Sequence, residues 1–534
     1  MKEDVQELYL ESLRDEKLKL KAYYLPKFLE DIEEELDKEE LKVDGYSIAY
    51  PKITKEVIKK VAKGLREKRD EVYQKDFINT QLIANTIENL KNTWLNDNYE
   101  KRKIALEILP KLTGLSVEQI IFYQFGTIAK MDKNAVEFLM SLELDSNILK
   151  KFILLKKANV WLRGYASFFG KIRSRNLIKN LRQPKLITFI TPSNVPGLIE
   201  ALGVFLGLVS KSSIIIKSPS KQPVFGPLFA QSLREIEPEF SETIAVLPWK
   251  GGDKSIEYTL FRLSDAVSVI GSTETANSVK NKIDELNASN HKIKGSYHGG
   301  KFGLNVVSKE LAIEKVATLS VFDGFGYEGY MCSSPAFGFF IEEGGKLSPK
   351  KFAEVMAEEA EWISEVIPQT PLFRRYREQI LAKYLSLENL GEAEVILSEN
   401  NDFAVVYLPK IRLEPDGQNR LLKVFPIDKI DNIPKMFEPW REFMQTVGVA
   451  IPMNKIFSFA DKMAKIGVSN LRVVGTVTLP RLGESWDGYY PVLEFMTDRD
   501  NIHWFSINAE DIEKEINKIY NKVLRVKEGI LEAW

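Results

Sequence analysis

The sequence predicts an α/β fold with parallel sheets, preceded by a mostly helical N-terminal region. From Pro184 onward, short β-prone apolar runs alternate with helical patterns at the spacing of right-handed βαβ units, which build parallel sheets. Before Pro184, leucines and isoleucines recur at helical spacing among many charged residues. With 534 residues, 44% of them hydrophobic, the chain is long enough for more than one domain with a sizeable core.

The composition excludes several classes of partner. Lysines and arginines number 74 against 75 aspartates and glutamates, so no net field favours nucleic acid or an anionic membrane. The single cysteine excludes an intramolecular disulfide and fits a reducing cytoplasm. The N-terminus is too acidic for a signal or transit peptide, and the longest apolar run, Ala201–Val209, is too short to span a membrane. We therefore expect a soluble cytoplasmic protein with no nucleic-acid partner, no integral membrane segment and no metal site.

Residues 1–180 are predicted to be mainly helical, and they indicate little about function. Residues 1–40 are highly charged and are expected to form an exposed arm or a lid. Thr54 and Ser116 stand in N-cap positions before amphipathic runs. The run 147–175 mixes aromatic residues with lysines and arginines; this is typical of an amphipathic helix, with contact to a phosphate-bearing ligand as the alternative. The other helices are predicted at Pro51–Tyr73, 78–96, 99–112, 116–130 and 133–145.

In the region after Pro184, the strand ends carry residues suited to a ligand. Ligands of parallel sheets bind beyond the carboxyl ends of the strands. Those ends are Thr191–Asn194, Lys217–Lys221 and Gly271–Thr273, which are small or polar and include a lysine suited to phosphate or ribose. No GxGxxG motif is present, so the usual dinucleotide fingerprint is absent. The strands are predicted at Leu186–Ile190, Ser213–Lys217, Ile244–Pro248 and Ala266–Ile270, and the first two helices at Leu198–Val209 and Phe225–Glu235.

The C-terminal half continues the alternation of strands and helices. Ser308 stands in the N-cap position of a helix predicted over Lys309–Ser320. The last helix, Asn508–Lys527, is amphipathic and charged and is expected to pack on its own subunit. The remaining elements are predicted at Lys301–Val307, Ala336–Ile341, 349–365, 370–386, Glu394–Leu397 and Phe403–Tyr407.

Cys332 lies on a glycine-rich stretch between Phe322 and Phe340 and is a candidate nucleophile. Three glycines before it let the backbone turn freely, and two serines, a proline and an apolar β-prone run follow it. A thiol on a tight loop at the mouth of a strand has a geometry suited to nucleophilic attack. The loop alone does not separate this interpretation from its alternative, a small buried hydrophobic residue.

Five motifs in order carry a resemblance to a known family: TPSNVPG, IIIKSPS, IGSTETA, YHGGKFGLNVV and the Cys332 loop. Their order and spacing resemble those of the aldehyde dehydrogenase superfamily. Within it, NVPGL, GGKFGLNVV and the C-terminal run GVSNLRVVGTVTLPRLGESWDGYYPVLEFM are similar to the LuxC-type acyl-CoA reductases, which make fatty aldehydes in bioluminescent bacteria. The resemblance covers about residues 45–510.

The resemblance implies an aldehyde dehydrogenase-like fold with two doubly wound α/β domains, one that binds the cofactor and one that is catalytic. Residues 1–180 then form a helical part of the cofactor-binding domain, and residues 181–297 its parallel-sheet core. Residues 298–485 form the catalytic domain with the cysteine. Residues 486–534 supply C-terminal strands and a helix, and a late strand that completes a dimer sheet in this superfamily implies a homo-oligomer by analogy.

The resemblance also assigns catalytic roles. Cys332 would attack an acyl thioester and become an acyl-enzyme, while Asn194 and the backbone N–H of Cys332 would donate to the oxyanion. Without the cysteine, Asn194 would be interpreted as a turn residue before Pro196. The sulfur must be a thiolate when it attacks, so its pKa is expected to be depressed. No cationic partner stands beside it in the sequence, which leaves helix N-termini or bound cofactor as the expected cause.

The cofactor-binding residues that the resemblance implies lie at the predicted strand ends. Thr191 and Pro192 would border the nicotinamide cofactor, and Lys217 would reach its adenosine ribose. Gly271 and Ser272 would meet the pyrophosphate at a helix N-terminus, where backbone N–H groups and the helix dipole favour negative charge. The alternatives are a solvated lysine at a strand end for Lys217 and an ordinary N-cap for Gly271 and Ser272.

Tyr297 stands where hydrolytic aldehyde dehydrogenases carry the glutamate that activates water. Without that base the acyl-enzyme is expected to hydrolyse slowly, which suits transfer of the acyl group to or from a thiol. His298 is a candidate proton donor, with simple packing as its alternative. Glu328 is an alternative base, although on its glycine-rich loop it is expected to point to solvent.

Ser220 and Lys221 stand where many NAD-using relatives carry a glutamate that repels a 2′-phosphate. A hydroxyl beside a cation accepts a 2′-phosphate, so NADPH is favoured over NADH. The family's second cofactor-binding glutamate, before a Phe-Gly-Pro element, is also missing, and Lys423 stands near its place.

The predicted function is the NADPH-dependent reduction of an acyl thioester to the aldehyde through Cys332. The acyl donor is expected to be a long-chain fatty acyl-CoA or an acyl-carrier thioester, and a partner enzyme that delivers the acyl group fits this chemistry. The alternatives are a short-chain CoA-acylating aldehyde dehydrogenase, an acyl-phosphate reductase, and a non-catalytic binding protein on the same fold.

Overall fold

The computed structural model divides the chain into two units. Unit 1 comprises Met1–Thr113 and Gln183–Gly299, and unit 2 comprises Gly114–Arg182 and Gly300–Trp534. The structure describes residues 18–75, 80–134, 136, 153–155, 160–166, 184–481, 484–490, 495 and 502–529. In chain order, the strands of these ranges are β1 (Leu18–Lys21), β2 (Lys38–Val43), β3 (Tyr46–Pro51), β4 (Ile153–Leu155), β5 (Val160–Ala166), β6 (Leu186–Ile190), β7 (Ser213–Lys217), β8 (Ile244–Leu247), β9 (Ala266–Ile270), β10 (Lys294–His298), β11 (Leu304–Val307), β12 (Phe339–Glu342), β13 (Glu394–Leu397), β14 (Ala404–Tyr407), β15 (Leu421–Ile427), β16 (Thr446–Ala450), β17 (Asn470–Val473) and β18 (Ile502–Ile507).

Unit 1 is built on a five-stranded parallel sheet with strand order β10–β9–β6–β7–β8. Its residues are nearly all buried because helices cover the sheet, as expected for parallel strands. Because every strand runs in the same direction, all the carboxyl ends meet at one edge. A smaller sheet, β1–β3–β2, lies in the same unit.

The helices of unit 1 begin where the sequence places capping residues. Thr54 accepts from the Val57 backbone N–H at 3.3 Å, which confirms it as the N-cap of the first long helix. Ile58, Val61 and Leu65 of that helix are fully buried in the unit 1 core, as their helical spacing predicts. The described helices are Glu30–Glu35, Lys55–Tyr73, Thr80–Leu95, Glu100–Thr113, Leu198–Val209, Phe225–Ile236, Pro238–Ser241, Lys254–Leu263 and Thr273–Ala288.

Unit 2 is built on a ten-stranded sheet with strand order β13–β14–β15–β12–β11–β16–β17–β18–β5–β4. The seven strands from β14 to β18 in this order are parallel, and β13, β5 and β4 are antiparallel additions at the two edges. The parallel centre is the doubly wound arrangement that the alternating pattern predicts.

The helices of unit 2 flank this sheet. Ser116 confirms its predicted N-cap role, because it forms a reciprocal capping box with Gln119. The segment that follows, Ile120–Phe125, is π-helical. The described α-helices are Val117–Gln119, Gly126–Ile128, Glu314–Phe325, Pro349–Val366, Pro371–Asn389, Ile433–Phe437, Met453–Ala464 and Ile512–Lys527.

Two parts of the predicted helical region contain strands instead, and the prediction is wrong there. β4 and β5 lie within the run 147–175, and β5 pairs with β18, which follows it by more than three hundred residues. β1 pairs with β3, and the chain after β1 is buried at Tyr23 and Leu25, so the described part of residues 1–40 is no exposed arm. In both places, hydrogen bonds to a strand elsewhere in the chain override the local helical pattern.

The pairing of β5 with β18 also affects the domain boundaries. Residues 114–182 group with unit 2, whereas the sequence assigns residues 1–180 to the cofactor-binding domain. The division after Gly299 lies close to the predicted boundary at residue 297.

Some other predicted elements shift, and some coincide. The helix predicted over Lys309–Ser320 is split: Lys309–Leu311 is a 3₁₀ turn, the helix runs over Glu314–Phe325, and Ser308 makes no side-chain capping bond. β6, β7, β9 and β13 have their predicted bounds. Residues 1–17 and most of the helix predicted over 133–145 lie outside the described residues. Within the described ranges, no helix combines the length and apolar character needed to cross a membrane.

Candidate active site

The carboxyl edge of the unit 1 sheet brings together residues predicted at separate strand ends. Thr191 follows β6, and its hydroxyl donates to the carbonyl oxygen of Lys217 at the end of β7, 2.7 Å away. Gly271 follows β9, and its backbone N–H donates to the carbonyl oxygen of His298 at the end of β10, 3.0 Å away. Since β6 and β9 are also neighbours, four adjacent strands present their predicted site residues along one edge.

Lys217 is buried, so the alternative interpretation as a solvated lysine is wrong. Its side chain is 8% exposed, and its Nζ lies 5.6 Å from the centroid of the Trp249 indole ring. Burial lowers the pKa of the Lys217 ammonium, although the nearby Glu257 carboxylate opposes this. Ser220 and Lys221 are exposed on the turn that follows β7. A buried cation thus lies at the base of a turn with an exposed hydroxyl and a second lysine.

Trp249 is a residue of this edge that the sequence analysis missed. It follows β8 and is 3% exposed, and within the described residues its indole Nε1–H has no hydrogen-bond partner. A buried donor without a partner costs about 1–3 kcal/mol, so a ligand atom that accepts this hydrogen bond fits the position. A signal was present in the sequence, because the tryptophan stands two residues beyond a buried strand at its carboxyl end.

Gly271 and Ser272 form the N-terminus of the helix Thr273–Ala288. The Ser272 hydroxyl accepts from the Thr275 backbone N–H at 3.2 Å, so its capping role is confirmed. A side chain at Gly271 would meet only Thr275, at 3.5 Å, so the backbone there is open to a close approach. Contact of these two residues with a cofactor pyrophosphate stays a prediction.

Pro192 and Asn194 lie on the turn between β6 and the helix Leu198–Val209. Asn194 is exposed and Pro192 is partly exposed. The turn ends at Gly197, whose φ of +83° is a left-handed conformation that glycine adopts readily. An exposed amide on this turn is compatible with both interpretations of Asn194, as an oxyanion donor and as a turn residue.

His298 is packed and hydrogen-bonded inside unit 1. Its side chain is 5% exposed, and its Nε2 lies 2.8 Å from the Ser296 hydroxyl oxygen on the same strand. Packing, one of its two predicted interpretations, is therefore confirmed. Its role as a proton donor stays a prediction.

Cys332, in unit 2, is partly exposed between buried neighbours. It is the single cysteine of the chain, and Ser333 and Ser334 beside it are 1% and 0% exposed. The helix Glu314–Phe325 ends just before the loop, and β12 follows it. The Ser334 backbone N–H donates to the Met331 carbonyl oxygen at 2.9 Å, which closes a turn around the thiol. The geometry matches the predicted tight loop at the mouth of a strand.

The pKa of Cys332 is raised, so the expected depression is wrong. Burial raises the pKa of the thiol to about 11, and the Asp487 carboxylate adds to the increase. The Arg472 guanidinium and the backbone N–H groups of Cys332 and Ser333 act in the opposite direction but do not offset the burial. The sequence shows no cation beside Cys332, but Arg472, which is distant along the chain, is near enough in space to lower the thiol pKa.

Arg472 and Asp487, which the sequence analysis missed, are themselves held by unit 2. The Nε of Arg472 donates to Glu484 at 2.8 Å, and its Nη1 donates to the Val477 carbonyl oxygen at 2.6 Å. Asp487 accepts from the side chain of Gln445. A signal for both residues was present in the C-terminal run, where the arginine and the Asp-Gly pair stand apart from the neighbouring apolar residues.

Glu328 does not point to solvent, and that prediction is wrong. Its side chain is fully buried and its Oε1 lies 3.1 Å from Nε of Arg420. Gln119 and Gln369 donate to its two carboxylate oxygens. A carboxylate enclosed in this way has no path to a water molecule or a substrate, so Glu328 is not the alternative base.

Lys423 is also enclosed. It lies on β15, is 1% exposed, and donates to Asp416 and to the Glu414 carbonyl oxygen. Burial lowers the pKa of its ammonium to about 8, although Asp416 opposes this. Its charge is therefore satisfied inside unit 2, and it does not replace the missing ribose-binding glutamate.

Sequence comparison finds one family and a distant relative. The family described as acyl-CoA reductase (LuxC) matches residues 77–498, well over half of the chain. A long-chain acyl-protein thioester reductase from Photorhabdus laumondii subsp. laumondii is 19% identical over 450 residues, which are 82% of this chain and 85% of the relative.

Comparison with solved structures confirms the aldehyde dehydrogenase-like fold. A salicylaldehyde dehydrogenase from Pseudomonas putida G7 is similar with a TM-score of 0.60 at 14% identity, covering 92% of this chain and 98% of that one. A benzaldehyde dehydrogenase from Corynebacterium glutamicum is similar with a TM-score of 0.56 at 14% identity, covering 89% of this chain and 95% of that one. At these identities the likeness concerns the fold alone.

Proposed function

Because the chain belongs to the LuxC family of acyl-CoA reductases, we propose that it reduces a long-chain acyl thioester to the aldehyde, with NADPH as reductant and Cys332 as nucleophile. Family membership makes it an oxidoreductase that reduces an acyl thioester. The chain length, the acyl donor, the cofactor and the residues belong to the proposal. The name of the Photorhabdus relative supports a long acyl chain, and it points to a protein-bound thioester as well as an acyl-CoA.

The observation that carries the proposal is the exposure pattern of the Cys332 loop. Cys332 is partly exposed between Met331 and Ser333, which are both buried, on a turn closed by its own backbone hydrogen bonds. A structural cysteine would be expected to be buried with its neighbours. Partial exposure of this residue fits a group that a substrate must reach.

In the proposed reaction, the Cys332 sulfur attacks the thioester carbonyl carbon. A C–S bond forms to Cys332, and the donor thiol leaves with the proton that Cys332 gives up. Backbone N–H groups at Cys332 and the Asn194 side-chain amide are the proposed donors to the oxyanion. Arg472 favours the thiolate because it lowers the thiol pKa, whereas Asp487 disfavours it.

Tyr297 and His298 are proposed to influence whether the acyl-enzyme is hydrolysed to the acid or reduced to the aldehyde. A tyrosine in place of the carboxylate base provides no group to activate water at neutral pH, so hydrolysis to the acid is slow in this proposal. His298, hydrogen-bonded to Ser296, is the proposed donor of the proton that the aldehyde-forming step requires.

The unit 1 edge fits a nicotinamide dinucleotide by its chemistry. Lys217 supplies a buried cation, Trp249 supplies a buried N–H that has no partner within the described residues, and Ser220 and Lys221 suit a 2′-phosphate. Thr191, Pro192, Gly271 and Ser272 are proposed to border the same ligand. When bound, the reduced nicotinamide would supply the hydride that reduces the acyl carbonyl. A homo-oligomer and an acyl-delivering partner enzyme complete the proposal.

The experiment that tests this function is the intact mass of the protein after mixing with acyl donors. A long-chain acyl-CoA is expected to add one acyl group to the wild type and none to Cys332→Ala. Addition of NADPH is expected to remove the adduct and release the aldehyde, faster than NADH does. Acylation of Cys332→Ala would refute the nucleophile assignment.

Other donors and cofactors serve as comparison arms of the same experiment. A short-chain acyl-CoA or an acyl phosphate that acylates the wild type faster than the long-chain acyl-CoA would refute the proposed substrate. Faster aldehyde release with NADH than with NADPH would refute the proposed cofactor. Each result leaves the acyl-reductase family assignment in place.

A further inference from the structure

The turn before Cys332 and a second turn from another part of the chain are held in strained backbone conformations. Tyr327, Glu328 and Gly329 have φ of +48°, +55° and +78°, so three consecutive residues are left-handed. Asn419 and Arg420, from another part of the chain, have φ of +54° and +63°. A non-glycine residue in this region costs about 1 kcal/mol or more, and it persists only where the surroundings enforce it.

A buried ion pair joins these two strained turns. The Glu328 carboxylate and the Arg420 guanidinium are both 0% exposed, with Oε1 to Nε at 3.1 Å. The backbone supports the pair, because the Asn419 N–H donates to the Glu328 carbonyl oxygen at 2.7 Å. The Arg420 guanidinium also lies over the ring of Phe325, 4.3 Å from its centroid, at the end of the helix that leads into the loop.

Further buried polar side chains donate hydrogen bonds to the Glu328 carboxylate. Gln119 donates to Glu328 Oε1 at 2.6 Å, and Gln369 donates to Oε2. Gln369 in turn accepts from Arg377, which is 0% exposed and also donates to the Asn419 carbonyl oxygen at 3.2 Å. Glu328 is therefore the ion-pair partner of Arg420 and, through Gln369, is linked to a second buried guanidinium group at Arg377.

The same segment that carries Arg420 holds the loop on both sides of the thiol. Upstream of Cys332, Gly329 packs so closely that an added Cβ would lie 2.9 Å from the Gly417 carbonyl oxygen. Downstream, the Gly417 backbone N–H donates to the Ala336 carbonyl oxygen at 2.9 Å. Cys332 thus lies in a short span whose two ends are tied to one neighbouring turn.

We propose that Glu328 is a positioning residue: its buried ion pair with Arg420 fixes the strained turn before Cys332 and so sets the direction of the sulfur and of the Cys332 backbone N–H. Glu328 acts through the backbone and does not touch the substrate. The inference rests on the proposed function only in taking Cys332 as the nucleophile. Small displacements of a reacting group reduce rates strongly, which gives this position a kinetic consequence.

The test compares Glu328→Gln with wild type and with Glu515→Gln. Glu515 is the matched control because it forms a mostly buried ion pair with Arg481 in the same unit, 2.7 Å apart, on the helix Ile512–Lys527. Three rates are measured: acylation of Cys332 by a long-chain acyl-CoA across a range of pH, alkylation of Cys332 by iodoacetamide, and hydrogen exchange of the backbone amides of residues 326–336. The double variant Glu328→Gln/Arg420→Met is included because it leaves no unpaired charge at that pair if the single variant unfolds.

The expected result separates positioning from a general structural role. In folded Glu328→Gln, or in the double variant, acylation falls about tenfold to a hundredfold with an unchanged pH profile, because geometry and not proton transfer is lost. Alkylation, which needs no oxyanion donor, stays close to wild type, and amide exchange of 326–336 accelerates. Glu515→Gln lowers the melting temperature without these changes.

Three outcomes would overturn the inference. Wild-type acylation in a folded Glu328 variant would remove the positioning role, and a changed pH profile would indicate a base instead. Unchanged amide exchange in 326–336 would show that the ion pair does not hold the loop. This last readout does not depend on the reaction, so the inference is tested even if the wild type accepts no acyl group and the proposed function fails.

Discussion

The carboxyl edge of unit 1 and the Cys332 loop of unit 2 are built in different ways. At the unit 1 edge, each candidate residue lies within a few positions of its own strand end, and its bonds are made to adjacent strands, as Thr191 does to Lys217. The Cys332 loop depends on side chains from distant segments, including Gln119, Gln369 and Arg420. The comparison shows that the arrangement of the unit 1 edge is encoded locally, whereas the Cys332 loop is held by buried charges far away in the chain.

The largest expected effect comes from breaking the buried ion pair between Glu328 and Arg420. Arg420→Met leaves the Glu328 carboxylate buried without its ion-pair partner, which costs about 3–5 kcal/mol of the free energy of unfolding. Lys346→Met, which removes an exposed ion pair with Glu314 in the same unit, should change it by about 0.5 kcal/mol or less. Denaturant unfolding of the three proteins measures both values. A loss below that of Lys346→Met would mean that the pair does not stabilise the loop.

The next effect concerns burial, which disfavours charge in both regions. It lowers the pKa of Lys217 and raises that of Cys332 to about 11. For an acid with a raised pKa, the charged form appears only as the pH approaches that value. Alkylation of Cys332 by iodoacetamide should therefore rise about tenfold for each pH unit from 7 to 10, following the thiolate fraction.

Intact mass over time gives that rate without ambiguity, because the chain has one cysteine, and Cys332→Ser supplies the blank. The denatured wild type is the matched control, since its exposed thiol should reach a plateau near the ordinary cysteine pKa. A plateau at lower pH in the folded protein than in the denatured one would contradict the raised pKa.

The smallest expected effect is that of replacing a glycine by alanine in each of the two regions. Gly329 and Gly252 both have positive φ, but Gly329 is packed against Gly417, whereas an added Cβ at Gly252 meets nothing within 4 Å. Substitution by alanine should cost about 1 kcal/mol at Gly252, from backbone strain alone, and about 2–3 kcal/mol at Gly329, where a contact is added. Gly391, open and with positive φ in unit 2, is the control for strain in that unit. Equal shifts of the melting temperature for Gly329→Ala and Gly391→Ala would show that the loop moves enough to accommodate the added Cβ.

The features that the sequence predicts are those encoded locally, and most of them lie at the unit 1 edge. The strand bounds of β6, β7 and β9, the N-cap at Ser272 and the alignment of Thr191, Lys217 and Gly271 at one edge could be predicted, because periodicity and turn chemistry are local signals. The fold class and the family could also be predicted, because five motifs stand in a characteristic order.

The missed features depend on contacts between distant residues. The strands β4 and β5 were missed because β5 is stabilised by β18, and no local pattern reports a partner so far along the chain. Arg420 was missed because a buried arginine and a solvated one look the same in a sequence. The thiol pKa was predicted in the wrong direction because the degree of burial on a glycine-rich loop is a tertiary property.

The raised pKa of Cys332 has a consequence for the lifetime of the enzyme under oxidants. Peroxides attack the thiolate, and the first product, a sulfenic acid, is rescued when a second thiol condenses with it. This chain has no second cysteine, so the thiol that rescues a sulfenic acid at Cys332 would come from another molecule; without it, further oxidation gives sulfinic acid, which is not reduced again in ordinary proteins. A raised thiol pKa therefore slows the first oxidation step at a cysteine whose repair depends on a thiol from outside the chain.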